Sequence, residues 1–135
     1  MFYEVTSIIT KKDQCGNDKE CKEKFFIDKC EFFAEAEMKM LGYYNNENLV
    51  VAIKQSKVRE FVNSREDEDE DIFIAVIEDI FISEKDGSET RTKYEVALFT
   101  DCISNANKIV NEYMKSGLQD MELVKLYKTK FVELI

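Results

Sequence analysis

The chain has 135 residues, a length that fits one domain or two very small units sharing a core, and its 44% apolar and 12% aromatic content is enough to build one. It contains no histidine, tryptophan or proline, which excludes Ser–His and Cys–His nucleophile pairs, histidine-ligated metals and proline-rich linkers. The net charge of −9 is unevenly spread: residues 1–64 carry 10 basic and 11 acidic side chains, residues 72–135 carry 8 and 11, and the seven from Arg65 to Asp71 carry one and six.

Phe2 to Thr10 and Lys24 to Asp28 read as two strands joined by a long loop that contains Cys15, Gly16 and Cys21. Phe33, Ala36 and Met40 then recur at i, i+3 and i+7, the period of an amphipathic helix, with Gly42 placed to end it. Leu49 to Val62 reads as one long strand with a bend near Ser56 and Lys57. A run of like charges repels itself, so 65–71 reads as a solvated linker. Beyond it, Ile72 to Ile82 is almost continuously apolar, and Asp86-Gly87 supplies a turn. Arg91 to Thr100 alternates, with Tyr94, Val96 and Leu98 on one face. Ile103, Ala106, Val110 and Tyr113 mark a second helix, with Asp101 as its expected N-cap and Gly117 after its last turn. Glu122 to Ile135 closes the chain as a second long strand, bent near Thr129 and Lys130.

The two halves correspond. Leu49–Val62 aligns without gaps on Glu122–Ile135, bringing Lys57 onto Lys130 and Glu60 onto Glu133, while Phe33, Ala36 and Met40 match Ile103, Ala106 and Val110 at a common offset of 70. The predicted fold is α+β: tandem duplicated β-β-α-β units, with antiparallel sheets carrying helices on one face. The repeats span 1–64 and 72–135, with the acidic linker 65–71 between them, and are expected to form one compact two-repeat domain. No apolar run approaches the ~20 residues of a membrane-spanning helix. Met1-Phe2-Tyr3-Glu4-Val5 lacks the basic start and cleavage site of a signal peptide, so a cytoplasmic location and no membrane partner are expected.

Phe25-Phe26-Ile27-Asp28, followed by Phe33-Ala34-Glu35-Ala36-Glu37 at the helix start, resembles a family of small two-repeat proteins of unknown function from Bacteroidetes and their crAss-like phages. The resemblance covers nearly the whole chain, including the final strand from Tyr127 to Leu134. It departs from the family pattern in its cysteine-containing first loop and acidic linker. It implies a phage or mobile-element setting and carries over no catalytic residue and no cofactor.

Four groups of residues are candidates for function. Cys15 and Cys21 are separated by five residues, wider than the two to four of paired zinc ligands, and no second close pair exists, so no metal site is expected. Cys30 and Cys102 read as small core residues. Glu66, Asp67, Glu68, Asp69, Glu70 and Asp71 form no calcium loop, having no glycine turn, but they offer carboxylates to a basic partner surface in place of nucleic-acid phosphates. Lys54, Lys57, Lys128 and Lys130, with Lys125, Arg59 and the tyrosines Tyr43, Tyr44 and Tyr127, are the alternative, a face for single-stranded nucleic acid, opposed by the negative net charge. Phe32 and Tyr43 become protein anchors if exposed. No catalytic set or phosphate-cradling glycine loop is present in the sequence. The expected function is a non-enzymatic acidic protein-binding module without cofactor, which, in the phage setting the resemblance implies, would be a phage accessory or anti-defence protein occupying a basic surface on a host protein. A homo-oligomer is a third class of partner.

Overall fold

Tyr3, Val5, Ser7 and Ile9 are buried and the residues between them are not, the period-two pattern of a strand with one face on a core. That strand, β1 (Tyr3–Lys12), is followed by β2 (Asp18–Ile27), α1 (Phe33–Tyr43), β3 (Leu49–Gln55), β4 (Val58–Phe61), β5 (Asp71–Ile82), β6 (Glu89–Thr100), α2 (Ile103–Lys115), β7 (Asp120–Lys128) and β8 (Phe131–Leu134). The structure, a computed structural model, describes residues 1–117 and 120–135. The fold is α+β, with eight strands in two sheets and two helices among the described residues.

The chain divides into two compact units. The first comprises Met1–Ser56 and Lys130–Ile135, and the second Lys57–Thr129. In the first, the sheet order is β3-β1-β2-β8, and α1 lays Ala36 and Met40 on the face formed by Tyr3, Val5, Phe25 and Ile27. In the second, the order is β4-β6-β5-β7, and α2 lays Ala106 and Val110 on Phe73, Ala75, Ile77, Val96 and Leu98. Helices on one face of each sheet agree with the sequence reading. The acidic stretch, read as lying between two repeats, falls within the second compact unit.

Several local expectations are corrected. Each sheet is antiparallel except at one edge, where β8 runs parallel to β2 and β4 parallel to β6. No hairpin joins those strands to their neighbours, so nothing forces the antiparallel sense. The expected bends at Ser56-Lys57 and Thr129-Lys130 are breaks, after which the chain joins the other sheet. The long first loop is short, because β1 and β2 extend as a hairpin, with Asp13 accepting from the backbone N–H groups of Cys15 and Asn17 and Gly16 at φ +80°. Cys21 therefore lies in β2, opposite Ile9. Gly42 does not end α1; Asn45 and Asn46, at φ 53° and 64°, take the left-handed positions after it.

The N-cap of α2 is Cys102, which is exposed, and Asp101 lies one residue earlier, its carboxylate accepting from the Asn105 side chain at 2.7 Å. Cys102 is thus no core residue, whereas Cys30 is buried.

The two edge pairings share one register. Phe131, Glu133 and Leu134 stand opposite Lys24, Phe25 and Phe26, while Val58, Glu60 and Phe61 stand opposite Glu95, Val96 and Ala97. The bulge between Thr6 and Ser7, against β3, has a counterpart between Val76 and Ile77, against β7. The backbone N–H of Ile135 donates to Phe26 and that of Val62 to Ala97, each at 2.8 Å.

Candidate partner-binding surfaces

The segment 65–71 is not the featureless linker its composition suggests. Glu70 folds back so that one carboxylate oxygen accepts from the backbone N–H groups of Glu66 and Asp67, at 2.6 and 3.0 Å. Asp67 accepts from the Asp69 N–H through its side chain and from the Glu70 N–H through its carbonyl. Arg65 closes the turn from below: its guanidinium donates to the Glu70 carbonyl at 2.5 Å and sits 4.9 Å from the centre of the Phe99 ring. One cation and four backbone donors thus hold a run of carboxylates that would otherwise repel itself into extended conformations.

This turn forms one wall of an open cleft of about 560 Å³ in the second unit. Glu66, Asp67, Asp69 and Glu70 line it, facing Thr100, Asp101, Asn105, Lys108 and Ile109 around the start of α2. Five carboxylates share it with one ammonium. The Asn105 amide holds the Asp101 carboxyl below the ordinary carboxylate range, so it is ionised at neutral pH. The second unit as a whole carries 17 acidic against 10 basic side chains, and the first 11 against 9. Such a cleft concentrates negative charge, and Ile109, partly buried against the core, adds an apolar patch to its lining. Glu68 is exposed outside the lining, and Asp71 is ion-paired with Lys128 at 3.2 Å. Asp101 and Lys108 were not anticipated as members; Asp101 read as a cap, and no spacing pattern connects either to residues some thirty or more positions earlier.

The lysines are not gathered on one face. Lys54 lies on β3 and Lys130 at the entry to β8, the two edges of the first sheet. Lys57 at the entry to β4 and Lys128 on β7 stand in the same relation in the second. Three strand spacings, about 14 Å, separate the edges of each sheet. Lys54 lies 3.8 Å from Glu4. The tyrosines grouped with them are engaged: the Tyr44 hydroxyl donates to Glu23 at 2.6 Å, the Tyr43 ring meets Tyr44 edge-on and Phe25 at a tilt, and Lys125 covers the Tyr127 ring.

Of the four clustered phenylalanines, Phe25 and Phe26 are fully buried, the latter stacked on Phe131 at 3.9 Å, whereas Phe32 and Phe33 are more than half exposed. Tyr43 is half exposed. Cys15 is exposed in the first turn, and all four cysteines are free thiols. Among the described residues, no helix is long and apolar enough to cross a membrane.

A family model described as "Domain of unknown function (DUF4494)" matches residues 1–135, so the chain belongs to that family over its whole length. No curated protein and no solved structure matches it.

Proposed function

We propose that this member of the family is a non-enzymatic protein-binding module whose second unit receives a basic segment of a partner protein in the cleft between the 66–70 turn and the start of α2. The observation that carries the reading is the convergence of five carboxylates on one cleft, four of them held by a hydrogen-bonded turn. A prearranged acidic surface loses less conformational freedom on binding than a flexible run of the same composition. Electrostatic complementarity of this kind speeds encounter and selects cationic partners. In the phage or Bacteroidetes setting that the family resemblance implies, the partner would be a host or phage protein in the cytoplasm. Single-stranded nucleic acid is the weaker reading, because the lysines it requires stand at opposite sheet edges and two of them face carboxylates.

The fold itself we read as a tandem duplication in which each copy, β-β-α-β with a broken last strand, lends the end of that strand to the other copy's sheet. The shared edge register, the paired bulges and the matching helix starts support this reading.

The test is a titration of the full chain with an arginine- and lysine-rich peptide and, separately, with oligo(dT), at low and moderate salt. Glu66→Gln, Asp67→Asn, Asp69→Asn and Glu70→Gln together keep the acceptor oxygens of the turn and remove its charge. They should weaken peptide binding about tenfold or more and flatten its salt dependence. Lys54→Gln, Lys57→Gln, Lys128→Gln and Lys130→Gln should leave peptide binding unchanged. Tight oligo(dT) binding abolished by the lysine changes would reverse the assignment.

A further inference from the structure

The helices α1 and α2 begin 70 positions apart and present the same residues-in pattern to their sheets, yet their outward faces differ in chemistry. On α2 the positions turned away from Ala106 and Val110 are Ser104, Lys108 and Asn111, all exposed and polar. The corresponding positions on α1 are Ala34 and Met38, both exposed, and Leu41, which is half-buried. Met38 is 72% exposed, and Phe32, at the head of the same helix, is 63% exposed. Intramolecular packing does not require this, since α2 meets its own sheet with a polar back. An apolar stripe with the exposed Phe32 at its N-cap end, on a helix that α2 does not match, is a surface for association.

The rim of the stripe indicates what covers it. Glu37, exposed, flanks one side and Glu35 the other, one Glu35 carboxylate oxygen accepting from the Glu31 N–H at 3.2 Å, with Glu31 exposed just before the helix. Lys39 is the only cation on α1, and its ammonium donates to the carbonyls of Asp28 and Lys29, at 2.8 and 3.2 Å. The border is thus acidic with its one cation occupied. A second copy of the chain would oppose these carboxylates with their like, on molecules of net charge −9. An anionic membrane surface meets the same repulsion.

We propose that the outer face of α1 docks an amphipathic helix of a partner protein, with leucine-type side chains against Phe32, Met38 and Leu41 and lysines or arginines beside Glu35 and Glu37. This surface belongs to the first unit and does not depend on the acidic cleft of the second.

The experiment is a titration of the isotope-labelled full chain, followed by amide shifts, with a helical leucine–lysine peptide of about four turns. The same pattern built from leucine and glutamate serves as the control. Shifts should centre on Phe32–Tyr43, and the leucine–glutamate peptide should bind at least about tenfold more weakly. Met38→Lys, which installs the residue that α2 carries at Lys108, should weaken leucine–lysine binding about tenfold, and Ala34→Lys should do the same as an independent change. Unchanged shifts elsewhere and an unchanged melting temperature confirm that both variants fold. Glu66→Gln, Asp67→Asn, Asp69→Asn and Glu70→Gln together should leave this binding intact, which separates it from the cleft. Binding indifferent to Met38→Lys and Ala34→Lys, shifts confined to 66–71, or equal affinity for the two peptides would overturn the proposal. So would concentration-dependent self-association with shifts along α1, which would assign the face to a second copy.

Discussion

Thr129 donates twice to the carbonyl oxygen of Ile72, from its backbone N–H at 2.9 Å and from its hydroxyl at 2.7 Å. It does so at the break between β7 and β8, where the chain stops pairing with β5. Ser56 occupies the break after β3, and its N–H donates to the Phe2 carbonyl at 2.8 Å. These bonds fix the last residue of each sheet before the strand departs, so they define where the departure begins.

Thr129→Val keeps the β-branched shape and the backbone bond but removes the hydroxyl. The expected loss is about 1 kcal/mol, seen as a fall in melting temperature of roughly 3–5 °C or a lower urea midpoint with unchanged slope. An unaltered midpoint would mean that the backbone bond alone holds the break.

Two carboxylates in one acidic run should behave oppositely. Glu70 accepts from two backbone N–H groups, so Glu70→Ala leaves those donors without their partner and should cost about 1 kcal/mol. Glu68 is exposed on the same turn, so Glu68→Ala should be neutral or slightly stabilising through reduced repulsion. Thermal melts of the two single variants at low salt check this. Equal effects would remove any special role for Glu70.

The break positions and helix starts were legible in the sequence, and the sheet that each strand end joins was not. Phe33 and Ile103 open helices because apolar residues recur at helical spacing behind them. Ser56-Lys57 and Thr129-Lys130 interrupt apolar alternation visibly. Beyond the break, however, Val58–Phe61 and Phe131–Leu134 alternate in the same way whichever sheet receives them, so the change of sheet leaves no local trace. The acidic run was legible as charge and illegible as structure: nothing in its composition distinguishes Glu70, which caps the turn, from Glu68, which does not. The cleft opposite it depends on Asp101, whose position before an apolar period read as a helix cap. The geometry instead gives that role to Cys102, whose carbonyl accepts from the Ala106 N–H at 3.0 Å.

Glu23 supplies a pH-dependent prediction. Burial pushes its carboxyl pKa up, but the Lys11 ammonium at 2.6 Å and the Tyr44 hydroxyl at 2.6 Å favour the ionised form more strongly, and the net shift is downward. A carboxyl with a depressed folded pKa contributes stability that is fully present above its unfolded pKa, about 4.3, and is lost as pH falls through the lower folded value. Glu23→Gln should therefore lower stability by about 1–2 kcal/mol at pH 7, with the gap to the parent chain narrowing steadily below about pH 4. Melts at pH 7, 5 and 3 test this. A gap constant across that range would show that Glu23 contributes through packing rather than charge.

The last six residues should stabilise the opposite end of the chain. β8 pairs with β2, Phe131 stacks on the fully buried Phe26, and Asp28 donates to the Ile135 carbonyl at 3.0 Å while Ile135 donates to Phe26. Ile135 also packs against the first unit's core. Ending the chain at Thr129 would strip β2 of its parallel neighbour and expose one face of Phe26, a change on the scale of a large core truncation, about 3–5 kcal/mol. Amide hydrogen exchange locates the damage. Protection should collapse first at Val5, Phe25, Phe26 and Ile27, more than a hundred positions from the cut, and persist longer at Ala75, Ile77 and Val96, which lie nearer to it in sequence. Loss beginning at β5 and β6 would contradict the pairing of β8 with β2. Phe131→Ala in the full-length chain offers the milder version, removing the stack while leaving the strand to pair, and should reproduce the same order of loss at reduced amplitude.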